Sequence, residues 1–175
     1  MTVFNDNKTL VLRGILVLLI ILISDQLSKE YMMGLLLEPQ RSIEITSFFA
    51  FTPVWNYGVS FGMFKAGDAK GVYLLVAVST LITSVVGYWL WRATTTLQAV
   101  MYGLIIGGAI GNVIDRLRFG AVFDFLDFHY KSFYYPVFNI ADSAICVGVF
   151  LILLEQLRGK KHSTADIVEN GKNNA

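Results

Sequence analysis

Two aspartates stand where a hydrophobic chain keeps a charge only at a cost: Asp124 in Val122-Phe123-Asp124-Phe125, and Asp142 in Phe138-Asn139-Ile140-Ala141-Asp142. A carboxylate beside hydrocarbon is a functional candidate by default. Two that meet at one membrane face cannot easily both ionise, so they share a proton. One can then activate water while the other protonates a carbonyl or a leaving amine, the chemistry of an aspartic protease. Each also has a plainer reading. Pro136 stops any earlier helix, Asn139 is a favoured N-cap, and Asp142 falls at the third helical position, where unpaired amides and the helix dipole stabilise a carboxylate. Asp124 reads equally as a turn residue, since Asp127 follows three positions on. Yet Val122, Phe123, Phe125, Leu126 and Phe128 make its loop apolar and membrane-dipping.

A second constellation closes a helix: Gly107-Gly108-Ala109-Ile110-Gly111-Asn112-Val113-Ile114-Asp115-Arg116. Gly107 and Gly111 lie one turn apart and permit close helix approach, and Gly108 is assigned the same structural role. Asn112 and Asp115, at i and i+3, share roughly one face with Arg116 beside them. Functionally, Asn112 and Arg116 would hold a polar substrate group while Asp115 orients Arg116; the alternative is a polar helix end with an Asp–Arg ion pair. Asp25 and Lys29, at i and i+4, read as a salt bridge that fixes the bundle. Asn56 is either a loop hydrogen-bonder or a contact to substrate backbone.

The elements that must position these residues follow from composition. Of 175 residues, 55% are hydrophobic and only 15% charged, and the mean hydropathy is +0.58. A soluble domain carries about a quarter charged residues, so the apolar excess faces lipid. Four segments, about 11–31, 72–91, 97–114 and 141–157, approach the ~20 residues that cross ~30 Å of hydrocarbon. The expected fold is thus an α-helical integral membrane protein with four transmembrane helices. Residues 1–158 form one membrane domain, and a polar, disordered tail follows from Gly159. Arg92 to Thr96 forces an antiparallel hairpin between the middle helices. The first segment resembles a signal peptide, but no small-x-small site follows Ile23, so it reads as a retained helix. Lys8, Arg13, Arg92, Arg158, Lys160 and Lys161 place both termini in the cytoplasm by the positive-inside rule, a preference weakened by Arg41, Lys65, Lys70, Arg116, Arg118 and Lys131. The loops at 32–71 and 115–140 then share the outer face. The first, with Ile43-Glu44-Ile45-Thr46 and an aromatic run from Phe48 to Phe64, reads as short strands and turns, with Asn56, Gly58, Ser60 and Gly62 alternating along one side.

Several function classes are disfavoured. A net charge of +1 and the lack of a basic stripe argue against nucleic acid. Cys146 is the single cysteine, read as a small buried hydrophobe. With His129 and His162 alone and no HExxH, a zinc site is not expected, nor is any other metal or cofactor. A small proton or cation channel would place acids at mid-membrane, whereas Asp25, Asp115 and Asp142 fall at helix ends on one face. A Ser/Lys hydrolase using Ser28 or Ser60 with Lys29 or Lys65 lacks a GxSxG elbow.

Taken in order, Asp25-Gln26-Leu27-Ser28-Lys29, Asn56-Tyr57-Gly58-Val59-Ser60-Phe61, Gly111-Asn112-Val113-Ile114-Asp115-Arg116, Val122-Phe123-Asp124-Phe125 and Phe138-Asn139-Ile140-Ala141-Asp142 resemble the motif set of lipoprotein signal peptidase, the bacterial signal peptidase II family. The resemblance covers the chain outside its two tails. It implies an inner-membrane aspartic endopeptidase whose site opens to the periplasmic side, with a catalytic dyad at Asp124 and Asp142. It also implies a polar surround at Asn56, Asn112, Arg116 and Asn139, with Asp25 needed for integrity. The implied substrate is a prolipoprotein whose lipobox cysteine carries diacylglycerol, cut just before that cysteine. Membrane lipid and globomycin-type peptide inhibitors are the other expected partners, and the enzyme is expected to act as a monomer.

Overall fold

The computed structural model describes residues 3–58, 69–130 and 133–173. Its helices are α1 (Val3–Leu36), α2 (Ala69–Trp91), α3 (Thr96–Phe119) and α4 (Ile140–Asn173). Each contains a stretch long and apolar enough to cross a membrane. Half of the α3 span is buried within the protein, against 11% for each of α1 and α2, so α3 is the central helix. Val86 and Leu90 of α2 pack on Ala99, Ile105 and Ile106 of α3, with Leu10 and Leu18 of α1 and Ile152 of α4 around them. The outward sides carry Leu16, Leu81 and Phe150, among many other exposed apolar side chains, as a lipid-facing surface requires. Close approach to α1 depends on Gly107, where an added Cβ would stand 2.7 Å from the Leu18 carbonyl oxygen.

The strands β1 (Ile43–Thr46), β2 (Phe49–Asn56), β3 (Val122–Tyr130) and β4 (Phe133–Tyr134) form one antiparallel sheet in that order. The first long loop supplies β1 and β2, the second β3 and β4. The central pairing of β2 with β3 sets Val54 against Asp124 and Asn56 against Val122. Its register shifts between Phe51 and Val54, around Pro53, which has no N–H for the ladder. Gly120, left-handed at φ 74°, ends α3 and turns the chain into β3.

Three expectations change. Asp124 lies on a nine-residue strand instead of in a loop, because its flanking phenylalanines need a face to cover. The helix α3 continues past Ile114 to Phe119, since the polar residues at its end turn inward and bond one another. Residues beyond Leu157 extend α4 as a helix to Asn173 instead of a disordered tail; propagating an established helix costs far less than nucleating one. Ser60, Gly62 and Lys65 lie outside the described residues.

Candidate active site

Alternation along β3 sends Phe123 and Phe125 into an apolar cluster with Leu36 at the end of α1, leaving Asp124 on the opposite face. Asp124 is 1% exposed. Its Oδ2 accepts from Asn56 Nδ2 at 3.0 Å and its Oδ1 from Asn139 Nδ2 at 2.7 Å. Burial pushes this carboxyl up to about 6; the nearby Asp142 charge adds to that, while the two amide hydrogen bonds and the Lys29 charge oppose it.

Asp142 is reached from the other side. After β4 the chain runs back along β3, with Leu126 N–H donating to Phe138 O at 2.8 Å and Phe138 N–H to Leu126 O at 3.1 Å. This return brings Asn139 beside Asp124 and starts α4. Asn139 is the N-cap: its Oδ1 accepts from the Asp142 N–H at 2.9 Å. One side-chain amide therefore touches Asp124 and holds the backbone of Asp142. The half-buried Asp142 accepts through Oδ1 from Asn112 Nδ2 at 2.7 Å. Its Oδ2 has no hydrogen-bond partner among the described residues. The Asn112 amide is fixed in orientation, because its Oδ1 accepts from Lys29 Nζ at 3.1 Å and from Asn139 Nδ2 at 3.2 Å.

Behind this pair lies an ionic cluster. Lys29, 1% exposed, sits between Asp25 at 2.9 Å and Asp115 at 2.8 Å, both as deeply buried. The Asp25–Lys29 bridge matches the i, i+4 reading. Asp115 does not bond Arg116 as its sequence neighbour suggested; it turns to Lys29, and its Oδ2 also accepts from the Phe123 N–H at 3.2 Å. Arg116 lies over the site, its charge facing Asp142 first, then Asp124 and Asp115, with one long bond to Asn112 O at 3.4 Å. Gln26, not singled out from sequence, donates to Asp25 and Asp115; its place beside Asp25 was the available signal. Room for the cluster comes from Gly111, where a Cβ would stand 2.6 Å from Asp25 Oδ2, and from Gly108, where one would collide with the Ala141 carbonyl oxygen.

With three partners Lys29 is not placed to activate Ser28, whose hydroxyl donates to Asp25 O, so the Ser28/Lys29 hydrolase reading fails. The four carboxylates converge in one layer instead of forming a file across the bundle, which disfavours a channel. A cleft of about 800 Å³ opens beside the layer, bordered by Asn56, Tyr135, Pro136, Phe138, Asp142 and Cys146. Cys146 is exposed on its wall, not buried as expected. An apolar cleft with Asp142 and Asn56 on its border suits a substrate that is mostly hydrocarbon with one reactive polar bond.

Residues 17–158 match the model of the family described as signal peptidase (SPase) II. A lipoprotein signal peptidase of Pseudoalteromonas atlantica is 39% identical, over 85% of this chain and 92% of its own. One of Rhizorhabdus wittichii is 45% identical, over 79% and 81%. A solved structure, titled as a bacterial membrane enzyme at 2.3 Å resolution, superposes with a TM-score of 0.71 and 28% identity, covering 85% of this chain and 90% of that one.

Proposed function

The chain belongs to the signal peptidase II family, and from that premise we propose that it cuts diacylglyceryl-modified prolipoproteins just before the lipidated cysteine, using Asp124 and Asp142 as a water-activating dyad. It is a multi-pass membrane protease that removes signal peptides from prolipoproteins. The observation that carries the finer reading is the Asn139 amide, which joins Asp124 to the start of the helix bearing Asp142.

The two carboxyls have different surroundings and so different roles. Asp142, in the first turn of α4, keeps one carboxyl oxygen on Asn112 and the other without a side-chain partner among the described residues, and is assigned the base's role. Asp124, desolvated on its strand, holds the proton up to about pH 6. Asp142 takes a proton from water as the water oxygen attacks the scissile carbonyl carbon. Asp124 gives its proton to the carbonyl oxygen, forming a neutral gem-diol. On collapse the C–N bond breaks, Asp142 protonates the leaving amine, and Asp124 recovers a proton from the hydroxyl that becomes the new carboxyl. Asn112 and Asn139 hold the two acids, while Arg116 and Asn56 face the polar part of the substrate.

Acyl chains and the apolar signal segment lie along the cleft, so binding energy remote from the carbonyl fixes the bond at the dyad. The aromatic β1–β2 ribbon clamps the unwound stretch and excludes bulk water; a cross-linked ribbon that kept full turnover would count against this. Lys8, Arg13 and Arg92 support cytoplasmic termini and a periplasmic site in the inner membrane of a bacterium. Globomycin-type peptides would compete for the same cleft, and one copy of the chain suffices for the chemistry.

The deciding experiment is a gel-shift cleavage assay with a diacylglyceryl-modified prolipoprotein and its unlipidated control. Wild type is expected to cut the lipidated substrate alone. Asp124→Asn and Asp142→Asn should each lose at least about 10³-fold in turnover while still inserting and folding. Near-normal turnover in both folded variants would end the aspartic reading.

A further inference from the structure

The buried ion cluster makes two backbone contacts whose positions are informative. Asp25 Oδ1 accepts from the Ala141 N–H at 2.9 Å, and Ala141 is the residue immediately before Asp142. Asp115 Oδ2 accepts from the Phe123 N–H at 3.2 Å, and Phe123 is the residue immediately before Asp124. Lys29 Nζ stands between those two carboxylates at 2.9 and 2.8 Å, and its third contact is Asn112 Oδ1, the amide that bonds Asp142. The path therefore runs from the backbone beside one acid, through Asp25, Lys29 and Asp115, to the backbone beside the other. Asp25 and Lys29 sit on α1 and Asp115 on α3, so the load falls on the helix pair with the most extensive mutual contact.

We propose that Lys29, clamped between Asp25 and Asp115, is a positioning residue that sets the separation and relative orientation of Asp124 and Asp142. This rests on the dyad reading above and adds a function to what would otherwise be only a bundle-stabilising ion pair. Two carboxylates pulled onto one cation cannot drift apart without leaving a charge unpaired in a dry interior. Each carries with it the peptide next to a reacting acid. Proton sharing and in-line water attack depend steeply on that separation, and a misplacement of about 1 Å costs on the order of 100-fold in rate.

The test uses full-length protein in detergent with the diacylglyceryl-modified prolipoprotein. Lys29→Met leaves two buried carboxylates unpaired and risks misfolding. It is therefore accompanied by Lys29→Gln and by the triple variant Asp25→Asn/Lys29→Met/Asp115→Asn, which removes the charges and keeps an Oδ1 acceptor for each backbone N–H. Folding is read by thermal unfolding, and kcat, KM and the pH profile of kcat/KM are compared. Arg116 of α3, Asn56 of β2 and Asn139 still face the dyad in every variant, so a shift in the profile reports the loss of Lys29 and its clamp.

A folded variant whose kcat falls about 100-fold, with KM within threefold and the alkaline limb displaced, supports the positioning role. A folded variant with kcat within threefold of wild type and an unmoved profile overturns it. Failure of all three to accumulate also overturns it, by making Lys29 a folding residue. Asp124→Asn and Asp142→Asn run alongside; retained turnover there would defeat the dyad reading itself, an outcome distinct from any result at Lys29.

Discussion

Asp25 and Asp115 differ from Asp124 and Asp142 in what stands between them. The first two enclose an ammonium at 2.9 and 2.8 Å. The second two are reached by amides, Asn56 and Asn139 on one and Asn112 on the other. A cation inside a carboxylate pair is shared by both and holds them together. Amides donate hydrogen bonds without supplying charge, and Asp124 still feels the Asp142 charge beside it. Two pairs of one residue type in one protein thus have different surroundings, and the proposed roles of brace and reactive centre rest on that difference. A third ion pair, Arg118–Glu30 at 3.4 Å, lies on the surface with side chains 48% and 66% exposed, and marks what such a pair does when water is present.

The contrast can be broken from the brace side first. Asp25→Asn leaves Lys29 undercompensated and should cost on the order of 3 kcal/mol, read as a lower melting temperature and reduced abundance in membranes. Normal abundance with lost activity would show that Asp25 belongs with the reactive pair. On the reactive side the expected signature is pH dependence. Asp124 titrates near 6 in the folded protein, against an ordinary value of 3.8. The unfolded chain therefore releases this proton first as pH rises. The stabilisation is full below about pH 4 and lost by about pH 6, a swing on the order of 3 kcal/mol. Melting temperature should fall across that window in wild type and lose this slope in Asp124→Asn. In the proposed mechanism the same proton is needed for turnover, so kcat/KM should decline above about pH 6.

Smaller effects sharpen the comparison. Gly108→Ala drives a methyl into the Ala141 carbonyl and should cost about 1–3 kcal/mol, seen as thermal destabilisation with a matching loss of turnover as α4 is pushed from α3. Glu30→Gln should change the melting temperature least, by less than about 0.5 kcal/mol in stability; a larger loss would mean that this surface pair is not screened by water.

The four spans were readable from sequence, and the two acids stood out as candidates, because both are local signals: an apolar run of sufficient length, and a charge set against it. The N-cap role of Asn139 was equally local, resting on the spacing to Asp142, and the hydrogen bond from the Asp142 N–H bears it out. What could not be read was anything paired across distance. Asp115 has Arg116 as its neighbour in sequence, but its partner Lys29 is on another helix. The β2–β3 ladder joins residues about seventy positions apart, so the sequence showed the β character of the first loop without revealing that the second loop completes the sheet. Helix ends were misjudged where polar residues, taken as signs of water, in fact face one another inside the protein, as at Asn112 and Asp115.

The cleft wall carries one more property of practical use. Cys146 is the sole thiol in 175 residues, it is exposed, and it follows Asp142 by four positions, one turn along the same helix. The chain thus comes with a natural reporter position: a fluorophore or spin label on Cys146 would sit on the cleft that Asp142 borders, without any other cysteine having to be removed. Its rate of alkylation would then record, in real time, when the cleft is filled and when it clears.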